Sequence, residues 1–299
     1  MPLSPDELEK YEKAGQVCAK VRDQLRSFVK PGVSLLQIAD EAESATQDFG
    51  GHAAFPVNLS LNNQAAHYTP SKNDPTILKE DDLIKVDVGV HVDGFIADCA
   101  FSYSASEKHA KLIEASEQAL KAAIEAMKPG VNVKEIGRLV KEKINSYGYN
   151  PVENLCGHSL APFILHAGQE IPNAPSGNYE LKEGDVFAVE PFATDGQGRV
   201  REGDYCQIYS VILLGKKVRM PSSRKILDFA TNEFQTLPFA RRWLSGLGLS
   251  ETETDFGLAG LVKNGILHAY PVLAEKPGLF VSQAETTVVV EKDGARPML

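Results

Sequence analysis

Near the start of the chain, apolar residues recur at steps of three and four: Tyr11, Ala14, Cys18, Val21, Leu25 and Phe28. That spacing lines one face of a helix. Ser4 and Glu7 are placed as a capping box, with Pro5 at the first helical position, and Lys30-Pro31-Gly32 ends the run. Ser34 to Gln37 predicts the cap of a second helix, which runs to the neighbourhood of Phe49. Ser104 to Glu107 predicts the cap of a third, with Ile113, Leu120, Ile124 and Met127 on its inner face and Lys128-Pro129-Gly130 as its stop. Asn132 to Glu135 predicts the cap of a fourth, ending near Tyr147-Gly148. Elsewhere the pattern changes to strict alternation. Val86, Val88, Val90 and Val92 are separated by Asp87, Gly89 and His91, which is the period of a strand. Asp93-Gly94 then favours a two-residue hairpin turn into a return strand that starts at Phe95.

The pattern repeats. Lys30-Pro31-Gly32-Val33-Ser34 is echoed by Lys128-Pro129-Gly130-Val131-Asn132, each between two helices. The segment Leu78 to Asp87 is echoed by Leu181 to Glu190, each a polar turn leading into a strand that carries a carboxylate at the same place. Two echoes in the same order imply a duplicated helix-helix-strand unit. Two such halves would face each other about a pseudo-twofold axis, with Asp87 and Glu190 meeting between them. No low-complexity stretch or Pro/Gly/Ser-rich linker divides residues 1–299, so the expectation is one α/β catalytic domain.

Composition removes several function classes. Lys and Arg total 31 against 40 Asp and Glu, a net charge of −9, which disfavours non-specific nucleic-acid binding. No run of about 18 apolar residues exists to cross a membrane. The start, Met1 to Glu7, lacks the positive and apolar regions of a signal peptide. Cys18, Cys99, Cys156 and Cys206 are dispersed without a CxxC, which fits reduced, mostly buried thiols in a cytosol.

The remaining signal lies in the acids. In the hairpin expected above, Gly89 pairs with Asp98, so Asp87 and Asp98 share a face as diagonal neighbours roughly 7–8 Å apart. Two aspartates among apolar neighbours repel each other and lose hydration, and a multivalent cation between them relieves both penalties. Glu190 follows the apolar run Phe187-Ala188-Val189, and Glu285 precedes Thr286-Thr287-Val288-Val289-Val290, a strand former. His158 follows Cys156-Gly157. Four carboxylates and one imidazole form a hard donor set that suits Mn²⁺, Fe²⁺ or Co²⁺ and admits Zn²⁺. Two such ions about 3.5–4 Å apart can share a water and hold a scissile carbonyl.

In that order, Asp87, Asp98, His158, Glu190 and Glu285 resemble the five ligands of the dinuclear metal site in the methionine aminopeptidases. The contexts Asp-Val-Gly, Gly-His-Ser and Val-Glu-Pro-Phe match too. Asn62 to Pro70 and Leu165-His166-Ala167-Gly168 resemble that family's two substrate-facing histidine motifs. The resemblance covers nearly the whole chain. The long gap between Glu190 and Glu285, with a helical segment over about 219–267, resembles the insertion of the type 2 enzymes. A start at the first catalytic-domain helix resembles the archaeal form.

The resemblance implies the pita-bread fold and removal of initiator methionine from nascent proteins and peptides with small second residues. Two divalent ions would be bridged by Asp98 and Glu285. Asp87 would complete one ion, and His158 with Glu190 the other. A hydroxide shared by the ions would attack the carbonyl after methionine, with Glu190 as proton carrier. His166 would bind the carbonyl as it becomes tetrahedral, and His67 would contact the peptide beyond the cleaved bond. Phe55 and Leu165, followed by Phe192, Ile208 and Tyr270, are the candidates for an apolar methionine pocket. Ile208 stands where type 2 enzymes often carry a histidine, in Cys206-Gln207-Ile208-Tyr209, a stretch assigned to the insertion. His52, His91, His109 and His268 are read as surface or structural. Peptide and nascent-protein amino termini, met at the ribosome, are the expected partners, with no nucleic acid and no membrane. The chain is expected to be a cytoplasmic monomer. A prolidase or aminopeptidase P shares the fold and ligands but usually carries a separate amino-terminal domain. A non-catalytic binder of the same fold would be expected to lose ligands and gain a basic tail.

Overall fold

The computed structural model describes residues 2–299; Met1, the first residue of the start read above as no signal peptide, lies outside the described residues. The first helix pair is α1 (Pro5–Phe28) and α2 (Leu35–Asp48), and both start on complete capping boxes, Ser4 with Glu7 and Ser34 with Gln37. Their apolar faces cover an antiparallel hairpin, β4 (Ile84–Val92) with β5 (Phe95–Tyr103). Asp93 and Gly94 take φ of 51° and 88°, the left-handed values that a tight type I′ turn requires at both central residues. The register is the expected one, with Val92 opposite Phe95, Gly89 opposite Asp98 and Asp87 opposite Ala100.

The second pair, α3 (Ala110–Ala126) and α4 (Val133–Ser146), covers β7 (Cys156–Ser159), β8 (Glu170–Pro172) and β9 (Val186–Val189). Two helix starts differ from the sequence expectation. Strand β5 runs on to Tyr103, so Ser104 lies in the turn and its hydroxyl accepts from Ser106 N–H; one 3₁₀ turn then leads into α3 with no side-chain cap. Asn132 caps α4 by accepting from Lys134 N–H, and Glu135 pairs with Arg138 instead of closing a box. The buried face of α3 is also rotated. Leu112, Ala115, Ser116, Ala119 and Ala123 are its buried residues, while Ile113, Leu120 and Ile124 flank the core half-buried. Small side chains let this helix approach its neighbours closely.

The duplication extends to individual hydrogen bonds. Gly32 N–H donates to Leu78 O and Gly130 N–H to Leu181 O, both at 2.8 Å. Leu78 N–H returns to Val33 O and Leu181 N–H to Val131 O, both at 2.9 Å. Asp82 and Asp185 close the matching turns by accepting from Lys79 and Lys182 N–H.

One nine-stranded sheet joins the halves, in the order β1 (His52–Ala53), β4, β5, β15 (Glu285–Glu291), β9, β7, β8. Strand β2 (Asn58–Leu61) also pairs with β4, and β16 (Gly294–Pro297) with β15. Strand β15 therefore lies between β5 of the first half and β9 of the second. Beside this sheet, β6 (Asn150–Pro151), β10 (Phe192–Thr194) and β14 (Val281–Gln283) form a second. The third holds β3 (Gln64–Ala66), β11 (Arg201–Val211), β12 (Phe239–Ala240) and β13 (Leu267–Ala274). Between β11 and β13 the chain forms α5 (Pro221–Glu233) and α6 (Glu251–Lys263), with β12 and a 3₁₀ segment between them. Ile208 and its neighbours lie on β11, ahead of this helical segment rather than within it. No helix among the described residues is long and apolar enough to cross a membrane.

Candidate metal centre

The hairpin register puts Asp87 and Asp98 on one face, diagonal to each other. Strand β15 pairs with β5 so that Glu285 also lies opposite Ala100, which brings a third carboxylate to the same place. From the other half, β7 pairs His158 with Ala188 of β9, and Glu190 follows the end of β9 directly. The five side chains meet where the halves meet. His158 Nε2 stands 3.7 Å from Asp98 Oδ2 and 3.6 Å from Glu190 Oε1. Asp98, His158 and Glu285 each offer a ligand atom within 4.8 Å of the others, and all three are buried.

Asp98 is held by its backbone. Its N–H donates to Thr287 Oγ1 at 2.7 Å, and the Thr287 hydroxyl donates to Asp98 O at 3.0 Å. Gln283, which the sequence reading did not single out, is buried at the end of β14. Its Nε2 donates to Glu285 at 3.1 Å and reaches Asp87 and Glu190 at 3.5 Å. One neutral amide is thus shared among three carboxylates.

Electrostatically the cluster is incomplete. Burial raises Asp87 to about 7, and burial together with mutual repulsion holds Asp98, Glu190 and Glu285 well above the ordinary carboxylate range. Burial lowers His158 to about 3, so it is neutral and its short contacts with the carboxylates are not ion pairs. Asp87 Oδ1, Asp98 Oδ1 and Gln283 Oε1 are buried without a hydrogen-bond partner. Orphaned oxygens in a hard, oxygen-rich donor set fit a divalent cation, which would supply the missing partner and return the acids to their ionised form.

A cavity of about 70 Å³ opens beside these residues. Phe55, His67, Leu165, His166, Ile208 and Tyr270 line it, as do Asn58 and Pro238, which the sequence reading did not name. Phe192 does not: it is buried among Ala65, Val152, Val200 and Val281 and reaches only the outer cleft beside the site. Gly89, opposite Asp98, leaves room that the Phe55 ring occupies. His67 takes the left-handed φ of 67°, which is uncommon for a residue other than glycine, and its Nδ1 donates to Pro271 O at 3.1 Å. That bond leaves Nε2 as an acceptor. Burial lowers His67 to about 4. His166 stands with its ring centre 4.5 Å from that of His158 and 6.2 Å from that of Tyr270. Desolvation, helped by the nearby His268, lowers its pKa as well. His268 is exposed on β13, edge-on to Tyr270 at 4.5 Å, and lines the outer cleft with His67 and His166. The sequence reading had set it aside as surface or structural. His52 and His91 stack on each other at 5.4 Å, and His109 bonds Asp81 O, all outside this cavity.

Comparison with known proteins follows the same lines. The model of metallopeptidase family M24 matches residues 9–213. The chain is 46% identical over 289 residues to the methionine aminopeptidase of Pyrococcus horikoshii, covering 96% of this chain and 97% of that one. It is 40% identical over 292 residues to the methionine aminopeptidase of Methanocaldococcus jannaschii, covering 96% and 98%. Among solved structures, a methionine aminopeptidase from Thermotoga maritima superposes with a TM-score of 0.72 at 20% identity, covering 100% of this chain and 98% of that one. A prolidase from Pyrococcus furiosus superposes at 0.62 with 18% identity, covering 99% and 64%. At these identities the likeness is one of fold, and that fold is the pita-bread fold.

Proposed function

The chain belongs to metallopeptidase family M24, and from that premise we propose how it works. It is a hydrolase that removes the amino-terminal methionine from peptides and proteins in a metal-dependent reaction. Two divalent ions would be held by Asp87, Asp98, His158, Glu190 and Glu285. The observation that carries this reading is the convergence of these five side chains from both halves, with buried oxygens left unpartnered. When bound, such ions supply a nucleophilic water at neutral pH and polarise the scissile carbonyl.

The protein's own residues do the rest. Glu190, which lines the cavity beside His158 and is ionised once a cation is bound, takes a proton from the attacking water and passes it to the leaving amine. His166 is neutral and donates a hydrogen bond to the carbonyl oxygen as charge develops there. His67, fixed by Pro271 O, accepts from the peptide beyond the cleaved bond. Phe55, Leu165, Ile208 and Tyr270 enclose the methionine side chain and keep water out. The small cavity favours one unbranched apolar chain. Residues 219–267 would form an insertion in the single domain 1–299, whose β12 pairs Ala240 with Ile208 of this wall. Nascent chains at the ribosome are the natural substrates, met by a cytoplasmic monomer.

The prolidase likeness makes an X-Pro peptidase the second reading. Turnover of Met-Ala-Ser and Ala-Pro-Ala separates the two, with Mn²⁺ or Co²⁺ added to chelator-stripped protein. Metal-dependent release of free methionine, with the proline peptide intact, is the expected result. Cleavage of the proline peptide alone would reassign the chain. Silence on both, with metal bound, would leave a binding protein.

A further inference from the structure

We propose that Cys18 and Cys99 are a site of intramolecular disulfide formation that ties α1 to β5 on the far side of the sheet from the metal centre. The Sγ atoms lie 3.0 Å apart, in direct contact. A disulfide bond measures about 2.05 Å, so closure asks for a movement of about 1 Å. Both residues are fully buried. Cys18 sits on the face of α1 that carries Ala14, Val21 and Leu25, and this face packs on the hairpin. Cys99 lies opposite Val88 in the hairpin, and Cys18 Sγ also approaches Val88 O at 3.4 Å. Helix and strand are thus already docked with the two sulfurs facing each other. Side chains alternate along β5, so Asp98 and Ala100 point away from the pair, toward Glu285 and the metal centre.

The pair is 81 positions apart in sequence, which makes the link long-range. Closing a loop of that length restricts the unfolded chain strongly. The oxidant is a low-molecular-weight disulfide such as oxidised glutathione. One thiol loses its proton and attacks the oxidant, releasing one glutathione thiol and leaving a mixed disulfide. The second thiol loses its proton, attacks the protein sulfur of that mixed disulfide and releases the second glutathione thiol. Two electrons and two protons pass from the cysteine pair to the oxidant. Burial bars the reagent from the closed fold, so the bond forms as α1 docks on the hairpin during folding.

The test follows from that timing. The full chain is refolded with Mn²⁺ in glutathione buffers of graded redox poise, quenched with an alkylating agent and mapped by non-reducing digestion and mass spectrometry. The expected product carries a Cys18–Cys99 link, is lighter by two hydrogen atoms, and has Cys156 and Cys206 alkylated. Its Tm lies roughly 5–10 °C above that of the reduced form, and its metal-dependent turnover persists. Cys18→Ala abolishes the difference in Tm between oxidising and reducing buffers. Four alkylated cysteines at every poise, or a link between any other pair, would overturn the proposal. The same map after oxidising native protein with diamide just below its Tm gives the decision where refolding yields aggregate.

Discussion

Gly89 offers a sharp test of how the candidate pocket is built. A Cβ there would stand 2.1 Å from Cε1 and 2.4 Å from Cδ1 of the Phe55 ring. Apolar carbons rest at about 3.5 Å or more, so Gly89→Ala would push the ring by about 1.4 Å. Phe55 is only 6% exposed and packs among Ala54, Ile96 and Leu160. Overpacking of this kind costs about 1–3 kcal/mol, and Ala's smaller loss of chain entropy returns roughly 0.5–1 kcal/mol of it. The net loss of about 1–2 kcal/mol lowers Tm by about 2–5 °C in a chain of this size. The displaced ring edge enters the cavity, so kcat/KM on Met-Ala-Ser falls while metal binding stays. The assay is a cycle of wild type, Gly89→Ala, Phe55→Ala and the double variant, read by thermal unfolding and steady-state hydrolysis. Once the ring is gone, the three closest contacts of the added methyl go with it, and the substitution costs much less. An equal Tm loss from Gly89→Ala in both backgrounds would refute the reasoning, because Phe55 would then not be what the methyl strikes.

Asp98→Asn removes one of the mutually repelling buried acids, so the metal-free variant unfolds no earlier than wild type, while calorimetry shows tight Mn²⁺ binding lost and turnover with it. Retained turnover would misplace the centre. His166→Ala lowers kcat by about 10²-fold if it stabilises the developing oxyanion; an unchanged kcat with raised KM would make it a binding residue only. The third expectation concerns pH. Burial raises Asp87 to about 7 and holds Asp98, Glu190 and Glu285 well above the ordinary carboxylate range, so the folded, metal-free protein holds protons that the unfolded chain has already released. Its stability therefore falls as pH rises through those values, by up to about 1.4 kcal/mol per pH unit for each proton concerned. The lowered His67 and His158 act in the opposite sense, but only below about 6.5, where the unfolded imidazole titrates. As pH rises through about 7, above the range where the unfolded imidazoles titrate, Tm of chelator-stripped protein should thus decline, while Mn²⁺-loaded protein stays level because the ion replaces the protons. A metal-free Tm that holds or climbs over that rise would contradict the burial of these acids.

What the sequence disclosed followed the strength of its local signals. The Asp93-Gly94 turn sets the register of the hairpin, and the register alone aligns Asp87 with Asp98. The two proline-glycine stops and the two turns of Asp82 and Asp185 are local enough to be read as a duplication. The face of α3 was misread because large apolar residues dominate a periodicity scan, while the close-packed face is made of Ala115, Ala119 and Ala123. The box at Ser104 failed because β5 takes up the residues before it. Gln283 carries no signature of its own. A neutral amide becomes informative only when three acids distant in sequence surround it. Pro238 and His268 reach the cleft through the pairings of β12 and β13 with β11, which no local pattern reveals. Phe192, two residues beyond Glu190, packs in the core and lines the outer cleft but not the small cavity itself.

Strand β15 closes the seam between the halves, and Glu285 stands on it between a strand from each side. Neither half alone owns the full set of acids. A chain in which each helix pair has covered its own strands would have most of its secondary structure, yet no complete cage for a cation. Catalytic competence is therefore an all-or-none property of this molecule. It arrives only when the long-range pairing across β15 is complete.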